Sequence, residues 1–288
     1  MKKITAAKIK KLVADLCLEA NFVLRSDVLT KLKAALIKET NKRAKDILKA
    51  IIDNARIARI DKLAICQDTG LPVVFVELGQ GLKVVGDLKS AINQGVEAGY
   101  KKGHLRNSVV YDPLKREGVG HSPVIIHIDI VKGNRLKIAL LPKGFGCENK
   151  TQLKMFNPTV EVSEIKSFVI DTVKSAGPDA CPPYIIGVGI GGTADYACLL
   201  AKKALLRPLR HYRLPACRQA GTLRITHYTK LERQLLNEIN KLNIGPMGLG
   251  GKSTALAVNI ETYPTHISGL PVAVNISCHA LRSAVKSL

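Results

Sequence analysis

The stretch Ile65–Gly70, Ile-Cys-Gln-Asp-Thr-Gly, lies between a helical run that ends near Lys62 and an apolar run from Leu71 to Val76. It places a thiol, an amide, a carboxylate and a hydroxyl side by side and ends on a glycine. A helix-to-strand junction of this kind brings side chains to the mouth of a sheet, where the sites of α/β proteins form. The same residues also fit a surface turn with one buried cysteine, so the choice depends on the rest of the chain.

Helices and strands are predicted on both sides of this stretch. Apolar residues at helical spacing predict a layer of helices over the first sixty residues, with Ser26 as an N-cap. Strands are predicted downstream at Val73–Leu78, Val124–Val131, Leu136–Leu141, Tyr184–Ile190, Ala255–Ile260 and Val272–Ile276. The second and third of these are expected to form a hairpin through Lys132–Arg135. We therefore expect an α/β fold, with mixed sheets flanked by helices and an N-terminal helical layer, as a single domain over residues 1–288.

Length and composition limit the class of protein. The 288 residues, 46% of them apolar, are enough for one large core or two modest ones. Lysines interrupt the apolar positions of the N-terminus, so it does not read as a signal peptide, and no apolar run is long enough to span a bilayer. Seven scattered cysteines without export signals indicate reduced thiols, some of which could hold a metal, rather than disulfides. We expect a cytoplasmic protein with no membrane partner.

The positive charge leaves a second class of function open. The formal net charge is +21, and the segment from Tyr196 to Leu231 contains eight Lys or Arg and no Asp or Glu. Such a chain could bind nucleotides or nucleic acid, or attract small anions. Aromatic residues make up only 4% of the chain and tryptophan is absent from it, so residues for stacking single-stranded bases are scarce. Nucleic acid is therefore the alternative partner rather than the expected one.

Two glycine-rich stretches bear on that alternative. Gly187–Gly192 fits the GxGxxG pattern of a pyrophosphate site, but no acidic residue follows at about 20 positions to hold a ribose. A packing role is the expected one for these glycines. Gly248–Thr254 resembles a phosphate-binding loop, but Pro246 stands where the first glycine is needed, and a strand rather than a helix is predicted to follow.

Three of the cysteines share a local context. Cys66, Cys181 and Cys278 each lie in a loop at the start or end of a predicted strand, next to turn-forming or polar residues. Cys17 and Cys198 lie on apolar helical faces, which favours core roles. The three loop cysteines are separated by 115 and 97 residues, and these spacings match no zinc-ribbon or ferredoxin motif. By spacing alone, a three-thiolate metal site is only weakly indicated.

Six motifs taken together, in this order, resemble a known family. They are Cys66–Gly70, Gly144–Lys150, Cys181-Pro-Pro, Gly187–Gly192, Gly245–Gly251 and Ser277–Ala280. Over nearly its whole length the chain is similar to the α subunit of iron-sulfur class I fumarate hydratases, and next to that of tartrate dehydratases. The resemblance implies a hydro-lyase that interconverts fumarate and malate, a step of the tricarboxylic acid cycle, with L-tartrate dehydration as the alternative.

The resemblance also implies a cofactor. In the family, cysteines that match Cys66, Cys181 and Cys278 bind a 4Fe-4S cluster whose fourth iron has no protein ligand. That open iron coordinates the substrate and acts as a Lewis acid, which makes hydroxide a tolerable leaving group. Thiolates suit iron-sulfur clusters, so the residues present agree with this expectation.

Substrate residues follow from the same resemblance. Gln67, Arg106 and Gly146 would hold the dicarboxylate with His266 close by, and Asp68 would shuttle a proton or orient a neighbour. The two-pronged guanidinium of Arg106 matches a carboxylate. Without the family context, Arg106 reads as a solvated loop residue and Asp68 as a turn cap.

The resemblance implies protein partners as well. The chain ends shortly after Cys278, where single-chain members of the family continue into a C-terminal domain. We therefore expect a separate β subunit that carries the C-terminal hydro-lyase domain, and little activity from this chain alone. The expected assembly is a heteromer that is itself dimerised.

Two features depart from the family pattern. Residues 207 to about 229 are basic where the family is acidic and polar, which predicts a surface-loop insertion, a change that folded proteins tolerate well. Cys147 stands where the family usually has a small hydroxyl residue. A thiol so close to a cluster could be oxidised or could disturb it.

Overall fold

The computed structural model describes residues 2–209 and 222–288, except for the side chains of residues 222–227. The predicted insertion near residues 207–229 falls largely outside the described residues, as does Cys217. The chain divides into two compact units. The first comprises Met1–Arg25, Asn54–Phe145 and Arg282–Leu288, and the second comprises Ser26–Asp53 and Gly146–Leu281.

Helices and strands alternate along the chain, which confirms the predicted α/β class with helices near the N-terminus. Helices α1 to α8 are Ala6–Phe22, Ser26–Lys38, Lys42–Asp61, Leu88–Lys102, Phe145–Glu148, Val162–Ala176, Ala194–Leu206 and Thr222–Asn240. Strands β1 to β12 are Lys2–Thr5, Leu71–Gly79, Leu82–Val85, Val109–Val110, Val119–Gly120, Ile125–Val131, Leu136–Lys143, Gln152–Phe156, Tyr184–Gly191, Ala255–Tyr263, Leu270–Ser277 and Ala284–Ser287. Within the described ranges, no helix combines the length and the apolar character needed to cross a bilayer.

The first unit is built on a sheet with the strand order β12-β7-β2-β6. Strand β2 is antiparallel to β7 and parallel to β6. Its residues Val73–Val76 are all buried, which is typical of a central strand that is covered on both faces. The core of this unit joins the sheet to α1 and α4, through residues that include Ile9, Val13, Leu16, Val74, Val76, Ile92 and Val96.

The predicted hairpin of Val124–Val131 and Leu136–Leu141 is wrong. Strand β2 lies between β6 and β7, so these two strands are neighbours in sequence but not in the sheet. The loop Lys132–Arg135 crosses over the end of β2. Gly79 at that end donates its backbone N–H to the carbonyl oxygen of Arg135 (2.9 Å), and Gly81 in the following turn donates to that of Gly133 (2.8 Å). The short loop fits a hairpin pattern locally, but β2, with Val73–Val76 buried, lies between the two strands.

The second unit is built on a sheet with the strand order β10-β9-β11-β8. Strand β9 is parallel to β10 and antiparallel to β11, so Tyr184, Ala255 and Ser277 lie near one edge of the sheet. Helix α7 packs directly on β9. An ideal Cβ on Gly189 would lie 2.0 Å from the carbonyl oxygen of Ala197, so only glycine allows the helix backbone to approach this closely.

The close packing of α7 on β9 explains why the stretch Gly187–Gly192 is rich in glycine. Gly187 makes a similar approach, since its Cβ would lie 2.1 Å from the carbonyl oxygen of Ala201, and the expected packing role is confirmed. The other glycine-rich stretch, Gly248–Thr254, leads into strand β10. It therefore does not present the helix N-terminus that a phosphate-binding loop uses.

Gly189→Ala is expected to destabilise the second unit by about 2 kcal/mol or more, because the added methyl group overpacks a backbone contact that cannot yield locally. The measurement is the urea midpoint of unfolding. Gly269→Ala is the matched control, since a Cβ there would meet only the end of Met155, at 3.9 Å. Equal midpoints for the two variants would contradict the close approach of α7.

A buried carboxylate joins distant segments of the second unit. Glu39, which is only 2% exposed, follows α2. Its Oε1 accepts hydrogen bonds from the backbone N–H groups of Thr40 (2.9 Å) and Asn41 (3.0 Å), and its Oε2 accepts one from that of Lys252 (2.8 Å). Burial raises the pKa of the Glu39 carboxyl, but the three N–H groups and the Lys252 charge outweigh it, so the pKa lies below its usual value of 4.5.

Glu39→Gln is expected to lower the free energy of unfolding at pH 7 by about 1–3 kcal/mol, because it removes a charged acceptor from buried donors. A lowered folded-state pKa stabilises the fold above the unfolded pKa, and this stabilisation is lost as the pH falls through the folded value. The difference between wild type and variant is therefore expected to shrink below about pH 4.5. Urea unfolding at pH 7 and pH 4 checks this, and a difference that does not depend on pH would contradict it.

Candidate active site

The turn Ile65–Gly70 enters the central strand of the first unit. It precedes β2, and it is held by buried groups at both ends. Ile65 donates its backbone N–H to the carbonyl oxygen of Asn21 (2.9 Å) and accepts at its own carbonyl from Asn54 Nδ2 (2.8 Å). The hydroxyl of Tyr100 donates to the carbonyl oxygen of Thr69 (2.9 Å). Cys66, Gln67 and Asp68 are thus carried on a backbone whose ends are fixed.

Glycine is required at the end of this turn. Gly70 has φ +77°, and an ideal Cβ there would lie 2.6 Å from the carbonyl carbon of Pro142 in β7. The turn therefore lies directly against the end of the neighbouring strand. This contact brings Asp68 to the residues that follow β7.

Asp68 is fixed by two backbone hydrogen bonds. Its Oδ1 accepts from the N–H of Gly70 (2.9 Å) and its Oδ2 from the N–H of Phe145 (2.9 Å). The predicted cap of the turn is therefore present, but it uses only part of the carboxylate, because each oxygen has a second lone pair. Asp68 is half-buried, so it can accept a proton from a molecule outside the turn.

Arg106 is bound to the same turn by a hydrogen bond from its backbone. Its N–H donates to the hydroxyl of Thr69 (3.0 Å), while its side chain is exposed. Gln67 is also exposed. Within the first unit the structure thus brings Cys66, Gln67, Asp68 and Arg106 to one turn, with two side chains that can bind a carboxylate next to one that can hold a proton.

Two buried cations of this region were missed by sequence reasoning. Lys143 ends β7 and Arg282 precedes β12, and each is only 3% exposed. Arg282 Nη1 donates to the side-chain oxygen of the buried Asn21 (3.3 Å). The available signal was a basic residue at the end of an apolar run, which sequence alone does not distinguish from a surface residue.

Cys181 and Cys278 lie at the same edge of the second unit's sheet. Cys181 precedes β9 and Cys278 follows β11, and these antiparallel strands pair Ser277 with Ile185. The carbonyl oxygen of Cys181 contacts the ring Nδ1 of His279 at 3.0 Å, so Nδ1 carries the proton, since a carbonyl only accepts. We call this edge, with Cys181, Cys278 and His279, the cysteine edge.

The glycine-rich loop reaches the cysteine edge through Cys147. The thiol of this buried residue donates to the carbonyl oxygen of Ala180 (3.2 Å), the residue before Cys181. Gly146 is exposed, and a Cβ there would meet nothing within 4 Å, so its backbone is open to a ligand. Gly146 and Cys147 therefore belong to the same edge as two of the predicted cluster ligands.

His266 lies at the other end of this sheet. It is exposed in the loop between β10 and β11, where its Nδ1 accepts from the N–H of Ser268 (3.2 Å). Strand β11 runs the length of the sheet between this loop and Cys278, roughly 25 Å at about 3.3 Å per residue. Within this unit His266 is therefore not close to the cysteine edge, and its contact with a substrate stays a prediction.

The cysteines fall into two chemical groups. Cys17 is fully buried, and burial raises the pKa of both the Cys17 and the Cys198 thiols, which disfavours the thiolate that metal binding needs. Cys66, which belongs to the first unit, and Cys181 and Cys278, which belong to the second, are all partly exposed at strand ends. Three such thiols fit the donor chemistry of an iron-sulfur cluster. Among the described side chains, those of residues 2–209 and 228–288, no three His, Cys, Asp or Glu are grouped to hold a metal ion.

Known proteins are similar to this chain over nearly its whole length. Residues 10–286 match the model of the fumarate hydratase (Fumerase) family. A protein of Methanocaldococcus jannaschii, provisionally named L(+)-tartrate dehydratase subunit alpha, is 42% identical over 291 residues, which cover 98% of each chain. The L(+)-tartrate dehydratase subunit alpha of Escherichia coli K12 is 31% identical over 281 residues, which cover 96% of this chain and 89% of that protein.

Proposed function

The chain belongs to the fumarate hydratase family of hydro-lyases, and we propose that it acts as the α subunit of an iron-sulfur enzyme that hydrates fumarate reversibly to malate. The observation that carries this proposal is the turn Ile65–Gly70 together with Arg106, whose backbone is hydrogen-bonded to Thr69. It combines a thiol, a carboxylate with unused lone pairs and an exposed guanidinium. These are the groups needed to bind a dicarboxylate and to take a proton from the carbon next to the departing hydroxyl.

Each residue of the turn has a separate task in this proposal. Arg106 binds one substrate carboxylate with its two-pronged guanidinium, and Gln67 donates a hydrogen bond beside it. Asp68 holds or moves the proton, and its two backbone hydrogen bonds aim the remaining lone pairs. The open backbone at Gly146 is a further donor for a carboxylate oxygen.

Cys66, Cys181 and Cys278 are the proposed ligands of a 4Fe-4S cluster. When bound, the cluster supplies a Lewis acid for the substrate hydroxyl. The support for this ligand set is the partial exposure of the three thiols and their place in the family motifs. Asp68 and Arg106 would perform their tasks on the substrate itself.

A β subunit completes the proposed enzyme. The two relatives carry the designation subunit alpha in their names, which indicates a separate partner in those proteins. We propose the same for this chain, with a β subunit that carries the C-terminal hydro-lyase domain and a heteromer that is itself dimerised. The chain alone is expected to show little turnover.

L-Tartrate dehydration is the second candidate, because both relatives are named for it. The two reactions share a four-carbon dicarboxylate and the loss of water, so Asp68 and Arg106 serve either. The test is an anaerobic assay of the chain combined with its β subunit on fumarate, malate and L(+)-tartrate, alone and in competition. A kcat/KM that favours fumarate supports the first candidate, one that favours tartrate supports the second, and no turnover of any of them would overturn both.

A further inference from the structure

A buried charge lies next to the candidate site without full compensation. Arg282 is 3% exposed and enters β12 at the edge of the sheet where β7 ends. Its Nη1 donates to Asn21 (3.3 Å), and its Nε is buried with no hydrogen-bond partner among the described residues. Burying a guanidinium is costly unless a negative group lies close by. The location of that negative group is therefore informative.

Gly144 shows which carboxylate faces Arg282. The position that a Cβ on Gly144 would take is 3.1 Å from Oδ2 of Asp68 and 3.4 Å from Nη2 of Arg282. The carboxylate and the guanidinium therefore flank the same small space, which exists because residue 144 has no side chain. An alanine there would stand between the two groups.

The buried Tyr100 lies close enough to Arg282 and Asp68 for both charges to affect its pKa. Burial raises the pKa of its hydroxyl, the Arg282 charge opposes this rise and the Asp68 charge adds to it. The charges of Arg282 and Asp68 thus both act on the buried hydroxyl of Tyr100. This hydroxyl also donates to the carbonyl oxygens of Thr69 (2.9 Å) and Gly70 (3.2 Å). The buried Lys143 also ends β7, and its Nζ lies 3.5 Å from the carbonyl oxygen of Gly144.

We propose that Arg282 is a positioning residue that acts through Asp68. Its charge attracts the Asp68 carboxylate and keeps Oδ2 aligned on the N–H of Phe145, so that the unused lone pairs keep one direction. The side-chain oxygen of Asn21 in turn accepts a hydrogen bond from Nη1 of Arg282. The inference rests on the proposed function only in assigning Asp68 to proton transfer, and the position of both side chains beside Gly144 does not depend on it.

The test is a double-mutant cycle of Arg282→Lys and Asp68→Asn in the assembled enzyme. Lysine keeps the charge but lacks the planar fork, so Arg282→Lys is expected to lower kcat roughly 10- to 100-fold through misplacement of Asp68, with KM nearly unchanged. If Arg282 acts through Asp68, the double variant is no slower than Asp68→Asn alone. Multiplied losses in the double variant would overturn the inference.

Gly144→Ala and Arg25→Lys complete the design. Gly144→Ala leaves both charges in place but wedges a methyl group between them, and its loss of kcat is expected to match that of Arg282→Lys. Arg25 Nη1 lies 3.4 Å from Oγ of Ser283, the residue after Arg282, so Arg25→Lys is a matched control that should keep wild-type kcat. A fully active Gly144→Ala enzyme would contradict the proposed contact.

The free energies of unfolding of the same four proteins, measured in urea, provide a second double-mutant cycle. Non-additive free energies of unfolding for Arg282→Lys and Asp68→Asn are expected, because the two groups interact in the folded chain. If the wild-type enzyme turns over none of the substrates, the proposed function fails, and the unfolding cycle still decides the contact. Additive free energies would overturn it whatever the activity.

Discussion

Cys181→Ser is expected to remove nearly all iron from the protein while its unit stays folded. The contacts that the structure shows for Cys181 with Pro178 and His279 use its backbone, at 3.2 Å to the carbonyl oxygen of Pro178 and 3.0 Å to the His279 ring. Serine preserves these backbone contacts and replaces the thiol with a hydroxyl. Iron and sulfide are expected to fall from about four of each per chain to almost none. Cys66→Ser and Cys278→Ser are expected to do the same.

Two cysteines serve as controls in this experiment. Cys198→Ser is expected to keep the iron, because burial raises the pKa of that thiol and the residue lies on helix α7. Cys147→Ser is also expected to keep it, since a serine hydroxyl can still donate to the carbonyl oxygen of Ala180. Iron and sulfide analysis after anaerobic purification, with circular dichroism for folding, separates these outcomes. Full iron content in any of the Cys66, Cys181 and Cys278 variants would remove that residue from the ligand set.

Asp68→Asn is expected to lower kcat by about 100-fold or more, with a much smaller change in KM, because an amide cannot take up the proton. The amide oxygen can keep one of the two backbone hydrogen bonds, to Gly70 or to Phe145. The turn is therefore expected to stay folded and the iron to stay bound. The measurement is steady-state kinetics of the chain with its β subunit, with iron content determined on the same sample.

Asp112→Asn is the matched control for Asp68→Asn. Asp112 also caps a turn of the first unit, since its Oδ1 accepts from the N–H groups of Leu114 and Lys115, both at 2.9 Å. It lies in the turn between β4 and β5, so wild-type kcat is expected for its variant. If Asp68→Asn lost iron or unfolded without a specific fall in kcat, Asp68 would be a turn cap only.

Part of this structure could be predicted from local pattern. The apolar run of β2 and the glycine at residue 70 predicted the turn before a strand, and the missing acidic residue after Gly192 correctly favoured packing over nucleotide binding. The pairing of β6 and β7 could not be predicted this way. A loop of four residues suits a hairpin, but strand order depends on which strand is buried on both faces.

For the candidate site, too, local sequence pattern predicted some residues and missed others. Asp68 and Arg106 were predicted as site residues from the resemblance to the family, and the structure brings Arg106 to the turn of Asp68 through Thr69. Arg282 was missed because it is distant in sequence from Asp68, and only the course of β12 beside β7 brings it to Gly144. His266 is close to Cys278 in sequence, yet β11 carries it to the far end of the sheet.

The visible absorption spectrum of the anaerobically purified protein, with iron and sulfide analysis, tests whether this hydro-lyase uses an iron-sulfur cluster. We expect a brown protein with about four irons and four sulfides per chain. A colourless protein that stays free of iron after reconstitution with iron and sulfide would contradict it.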